Sequence, residues 1–237
     1  MDSVYGNFEY EQAITLSKKG IDVVYTYIDR RIRVGYKRNV GLSFHQGYPF
    51  PVYGGYLRPL PLKYFPRWNT WLYKRRYLQL FKKVIEKEGI PDLIHCHYLF
   101  YLPCAKVIKD KYGIKIVETE HWSEVNTTHP RSYIKYLSSY YNFADRIITV
   151  SEALKNALNI IFNIESTRIY NMVSETYFDS QISLKYEKND KMIKLVSIGC
   201  LRNLKGFDLL IEALSGLDRN NINWELTICG DGPEKHH

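Results

Sequence analysis

The 237-residue chain is 45% hydrophobic and 15% aromatic, a balance that excludes intrinsic disorder and suits one large or two modest cores. No apolar run reaches the ~18 residues a membrane-spanning helix needs and no charged-then-apolar leader opens the chain, so a soluble or peripheral protein is expected. The +8 net charge is one-sided: 23 Lys/Arg stand against 13 Asp/Glu through Val150 and 10 against 12 after it, which points the first part toward an anionic lipid surface, a phosphorylated acceptor or nucleic acid.

Phe8 to Lys19 reads as a helix stopped by Gly20, and Ile21 to Ile28 as a strong β run. The glycines and prolines that follow, Pro49 to Pro66 among them, allow a weaker strand and loops but no helix. From Asn69, read as an N-cap, to Glu88 the pattern is helical, ended by Gly89 and Pro91. Then the chain alternates. Leu93 to His97 is a strand, Leu99 to Tyr112 a helix, Ile114 to Thr119 a strand and Tyr133 to Ala144 a helix. Arg146 to Val150 is a strand, Glu152 to Ile161 a helix capped by Ser151, and Thr167 to Tyr170 a last strand before a polar linker. After the linker, the apolar runs Leu195 to Ile198 and Trp224 to Cys229 flank a helix carrying Phe207, Leu210, Ile211 and Leu214, which makes a βαβ unit.

This alternation predicts an α/β protein of two Rossmann-like parallel-sheet domains with helices on both sheet faces. Their boundaries are read as 1–173, a linker at 174–191, and 192–237. Ligands of such sheets bind beyond the carboxyl ends of the strands. The residues there are His95, His97, Glu120, His121, Ser151, Glu152 and Asn171 in the first domain, and Gly199, Arg202, Lys205 and Gly230 to Gly232 in the second. Two such domains facing each other would form a cleft. His95 and His97 are taken to alternate faces of their strand, so that at most one meets the core, with His95 structural and His97 at the cleft. Asn171 is a cleft candidate or a turn residue, and G-D-G-P at 230–233 is read as a turn before a helix rather than a phosphate loop. Cys96, Cys104, Cys200 and Cys229 have no paired spacing, so neither a disulfide framework nor a metal site is expected, and they are read as reduced thiols of a cytoplasmic protein.

Several stretches in order then resemble one known family. G-N-F-E-Y-E-Q-A-I-T-L-S-K-K-G-I-D-V-V, P-D-L-I-H-C-H, T-E-H, A-D-R-I-I-T-V-S-E-A-L-K, I-Y-N, S-I-G-x-L-x-x-x-K-G-F-D-x-L-I-E-A-L and G-D-G-P are similar to the family 4 retaining glycosyltransferases of the glycosyltransferase-B fold. The resemblance implies transfer of a sugar, with retained configuration, from a nucleotide diphosphate sugar to a saccharide or lipid-linked acceptor in polysaccharide or glycoconjugate synthesis. UDP- or GDP-sugar donors are implied, with no cofactor and no obligatory metal. By position Lys205 matches the lysine that neutralises the donor diphosphate, Gly6 the loop glycine near the phosphates, and His121 the histidine beside the transferred sugar. Where many members place an arginine directly after the strand-ending glycine, this chain has Cys200, and Arg202 is the candidate substitute.

The family also has a first strand that should precede Asp2, and a pair of donor-holding glutamates in the second half of its C-terminal domain. The chain is therefore expected to be truncated at both ends and inactive alone, with a membrane- or partner-binding module as the alternative function. The segment Lys63 to Lys83 combines aromatics with Lys63, Arg67, Lys74, Arg75, Arg76, Lys82 and Lys83, Arg58 standing just before it. It reads equally as a face for an anionic membrane, at the inner face of the plasma membrane, or as a solvated helix face. Nucleic acid is not expected as a partner, because charge and aromatics come without a binding motif.

Overall fold

The computed structural model describes residues 7–29, 42–57, 64–127, 129–173, 178, 192–218 and 222–236. The chain divides into two compact units, residues 1–178 and 179–237. The expected linker lies outside the described residues apart from Phe178.

The first unit opens with α1 (Asn7–Lys18), followed by β1 (Tyr25–Asp29), β2 (Leu42–His45) and β3 (Val52–Tyr56). β1 starts later than its apolar run suggests, because Ile21 is 51% exposed and the first ladder bond is Tyr25 N to Pro51 O. β3 pairs parallel with β1 and antiparallel with β2 in the order β1-β3-β2, so the stretch after β1, expected to hold one weaker strand, supplies two, with β3 among the prolines. Neighbouring side chains of a strand point to opposite faces, and both faces of β3 are covered. Val52 packs with Ala13 of α1 and with Phe50, while Tyr53 packs with Leu80 and Val84 of α2 (Pro66–Glu88).

α2 begins earlier than predicted. Pro66 opens it, where the missing N–H is no loss, and Asn69 is therefore not the cap but a buried residue inside the helix. The second sheet holds β4 (Leu93–His97), β5 (Lys115–Glu120), β6 (Arg146–Thr149) and β7 (Thr167–Arg168), all parallel and in that order. Its crossovers are α3 (Leu102–Tyr112), α4 (Ser132–Ser138) and α5 (Glu152–Phe162). Two predicted helices are each part 3-10: Leu99–Tyr101 precedes α3, whose Pro103 must sit in a first turn, and Ser139–Phe143 follows α4. The Ser151 hydroxyl accepts from Leu154 N at 3.2 Å, which caps α5 as its sequence predicts.

Leu99, Leu102, Ile116, Ile134, Leu137, Tyr141 and Leu158 close the core of this sheet, each at 1% exposure or less. Each such side chain contributes about 1.5–3 kcal/mol of transfer free energy. In the second unit, β8 (Ile193–Ile198), α6 (Phe207–Asp218) and β9 (Trp224–Cys229) form one βαβ element with parallel strands in register from Ile193↔Trp224 to Ile198↔Cys229.

One core position runs against this apolar logic. Ile116, Glu118 and Glu120 share a face of β5 and are all 0% exposed, yet neither oxygen of the Glu118 carboxyl has a hydrogen-bond partner. Burial, and then the neighbouring Glu120, push the Glu118 carboxyl well above the usual carboxylate range. Its folded-state value is raised, so the folded chain holds a proton that the unfolded chain has released. Stability therefore falls as pH rises above the unfolded value of ~4.5 toward the folded one. Glu118→Leu should accordingly raise the unfolding free energy at pH 8 by about 1–3 kcal/mol, the cost of an enclosed unpaired polar group. Urea unfolding at a series of pH values should show that gain shrinking toward pH ~4.5. A gain independent of pH, or none at pH 8, would contradict the assignment.

Candidate active site

Parallel pairing sets the carboxyl ends of β4 and β5 side by side, with His97 opposite Thr119. Residues two apart in a strand share a face, and this corrects the expectation for His95 and His97. Their rings stack with centroids 4.4 Å apart, and both are partly buried. His95 Nε2 lies 2.7 Å from the Thr119 hydroxyl, and His97 Nδ1 lies 3.1 Å from His121 Nε2. His121, the first residue beyond β5, is flanked by Tyr98 at 5.2 Å and stacks on Phe8 of α1 at 6.2 Å between ring centroids.

Burial pushes His121 down to about 4 and, with help from the His121 charge, His95 to about 4. His97 falls to about 2 through burial and then through its two histidine neighbours. All three imidazoles are thus neutral at ambient pH. A neutral His121 offers one N–H and one lone pair, and its Nδ1 is buried without a hydrogen-bond partner. It can hold a sugar hydroxyl by a hydrogen bond but brings no positive charge.

Glu120 lies beneath this cluster, not in it. Its carboxylate, 0% exposed, accepts from Leu99 N (3.0 Å) and the Tyr141 hydroxyl (2.6 Å) on one oxygen and from His121 N (2.9 Å) and Trp122 N (2.7 Å) on the other. Burial raises this carboxyl above its ordinary value, and the four donors offset only part of that rise. Glu120 therefore fixes the backbone on which His121 stands. Tyr98, in the turn after β4, has φ +70° and ψ 130°, a conformation that costs an L-residue about 1–3 kcal/mol. Its hydroxyl bonds to Glu9, whose carboxyl is 7% exposed.

Glu9, Tyr98 and Phe8 were not among the expected site residues. An acid in a first helical turn reads as a complement to the helix dipole, and only the placement of α1 over the strand ends reveals more. Asn171 lies beyond β7, at the sheet edge away from β4, apart from the histidines. Gly6 lies outside the described residues.

In the second unit, Arg202 and Lys205 are exposed in the turn between β8 and α6. A 3-10 turn, Asn203–Lys205, is closed by Gly206 at φ +67°, and Gly206 O accepts the Leu210 N–H of α6. Asp231 O receives the Leu201 N–H at 3.0 Å, so the loop after β9 packs against the one after β8. A Cβ on Gly230 would lie 1.9 Å from Gly199 O, and one on Gly232 2.2 Å from Leu201 O. Close backbone approach therefore accounts for G-D-G-P.

A model of Glycosyltransferase Family 4 matches residues 10–176, and one of Glycosyl transferases group 1 matches 179–237. A D-inositol 3-phosphate glycosyltransferase of Gordonia bronchialis is 25% identical over 154 residues, 57% of this chain and 33% of that protein. Among solved structures, sucrose-phosphate synthase from Thermosynechococcus elongatus aligns at TM-score 0.62 and 15% identity, covering 95% of this chain and 56% of the other. The catalytic domain of starch synthase IV from Arabidopsis thaliana, bound to ADP and acarbose, aligns at 0.58 and 14%, covering 99% and 66%. At these identities the likeness shows the fold, which is α/β of the glycosyltransferase-B type. The chain spans about a third of the length of the curated relative. On the match over residues 10–176, the chain belongs to Glycosyltransferase Family 4.

Proposed function

We propose that the chain serves the transfer of a sugar, with retention, from a UDP- or GDP-sugar to a saccharide or lipid-linked acceptor, without an obligatory metal. The observation that carries this reading is the neutral histidine set at the strand ends, held by a buried carboxylate, in a chain of this family. His121 orients the sugar or acceptor. Lys205, with Arg202 beside it in place of the arginine that Cys200 displaces, neutralises the diphosphate as charge develops on the leaving group. Gly6 and Asn171 are assigned by position alone, to the phosphates and the acceptor side.

A second reading rests on a specific surface. Tyr64, Phe65, Trp68 and Trp71 are exposed at or just before the start of α2, Trp68 lies 5.1 Å from Trp71, and the Arg75 guanidinium lies over the Trp71 ring at 5.6 Å. Aromatics among cations suit an anionic bilayer. This surface either docks the transferase at a membrane or is itself the function, a binding module without transfer. Among the described residues no helix is long and apolar enough to cross a membrane.

Saturation-transfer NMR with UDP- and GDP-sugars separates the readings. The transfer reading expects contacts along the donor, at least tenfold weaker binding in Lys205→Ala, since a charge-assisted hydrogen bond contributes about 1.5–3 kcal/mol, and weaker sugar-ring saturation in His121→Ala. No saturation from either donor would leave the module. For the membrane, co-sedimentation with anionic vesicles should fall about tenfold or more when Trp68 and Trp71 become serine. Binding that ignores anionic lipid would remove that surface from the account.

A further inference from the structure

The carboxyl ends of β4 and β5 gather a second constellation, distinct in its chemistry from sugar recognition. Glu9 from the first turn of α1, His97 from the end of β4 and His121 from beyond β5 each bring one ligand-type atom within 4.8 Å of the other two. One observation asks for an occupant. Glu9 is 7% exposed, its Oε2 is buried without a hydrogen-bond partner, and the Tyr98 hydroxyl bonds to its carboxyl. An enclosed carboxylate oxygen without a partner is costly, and a cation is its natural complement.

The two imidazoles supply the rest of the geometry. His97 Nδ1 and His121 Nε2 are 3.1 Å apart and share a single hydrogen bond. Two nitrogens bound to one tetrahedral zinc at about 2.0–2.1 Å are separated by roughly 3.3 Å, so an ion could replace the shared proton with little movement of either ring. The outer support is also present. Tyr98 holds Glu9 through its hydroxyl, while His95 stacks on His97 and is itself anchored at Thr119. Two neutral nitrogens and one carboxylate form a borderline-soft set that suits zinc or cobalt and is poor for magnesium or calcium, which prefer oxygen alone.

We propose that Glu9, His97 and His121 bind one divalent ion of the zinc class, with the fourth position open to water or an exogenous oxygen ligand. The consequence for transfer rests on the reading given above. A bound ion takes the Nε2 lone pair of His121 and commits its Nδ1 to an N–H, so the ring can only donate to a sugar oxygen and the metal acts as a modulator and not a cofactor. Metal binding itself does not depend on that reading.

The test uses the full chain with His236 and His237 replaced by serine, so that the tail contributes no ligands. Titration with Co²⁺ should give the visible d–d bands of a tetrahedral site saturating at one ion per chain, and Zn²⁺ should displace them. Glu9→Gln and, separately, His97→Gln should each weaken binding tenfold or more, with circular dichroism showing that both variants remain folded. Glu9→Gln keeps the shape of the side chain, so it serves even where His97→Gln disturbs the strand end. Absence of a saturable cobalt spectrum, equal affinity for Mg²⁺, or affinity unchanged in a folded Glu9→Gln variant would each overturn the proposal. A chain that binds zinc but shows no donor saturation by NMR would retain the metal site and lose only its meaning for transfer.

Discussion

The site depends on the buried carboxylate of Glu120. Its two oxygens meet four donors from three separate pieces of chain: Leu99 after β4, His121 and Trp122 after β5, and Tyr141 in the 3-10 turn before β6. A carboxylate with no solvent must find such partners or give up its charge, and here the partners are largely backbone N–H groups whose positions thereby become fixed. Two turns that would otherwise be free to vary are tied together at the strand ends. His121 takes its place from that tie, and His97 reaches it from the adjacent strand. The strained Tyr98 conformation next to Leu99 persists because the surrounding bonds, including Tyr98 N to Thr119 O at 3.0 Å, over-determine it.

The second unit solves a different problem with different means. Its two loops approach through backbone, with glycine at 230 and 232 because no side chain fits, and Arg202 and Lys205, the proposed diphosphate contacts, are exposed. An exposed, flexible cation suits a diphosphate that arrives and leaves. A buried neutral imidazole suits a hydroxyl that must be oriented. The two chemistries proposed for this chain thus rest on opposite environments, one of exposed cations, the other of partly buried neutral imidazoles beside buried carboxyl groups.

Much of the fold was legible because its elements repeat a simple rule. Leu93–His97 was readable to the residue, since Pro91 bars a helix before it and the apolar run is short, and the βαβ of the second unit declared itself through two apolar strands around a helical stripe. Helix starts were less legible. Asn69 looked like a cap, but Pro66 is equally at home at a first position and the buried face of α2 extends back to include Asn69. Within the site, His97 and His121 are nameable from sequence, and residues two apart in a strand share a face, which is why His95 stacks on His97. The pairing of His97 with His121 requires the register of β4 on β5, which no local pattern contains. Glu9 lies farther still in the chain. Glu118 and Glu120 look alike in sequence, and only their surroundings separate a carboxyl without partners from one with four.

The most direct measurement of this account is the protonation of the three imidazoles, followed by their ¹⁵N and carbon-bound ¹H resonances in NMR as pH is lowered. His95, His97 and His121 are held down at about 4, 2 and 4, so they should remain neutral, each in one tautomer, from pH ~7.5 to ~5.5, while an exposed histidine titrates near 6.5. Should any of the three gain its proton with a midpoint near 6.5, the enclosed neutral cluster built on Glu120 would be the wrong description of this site.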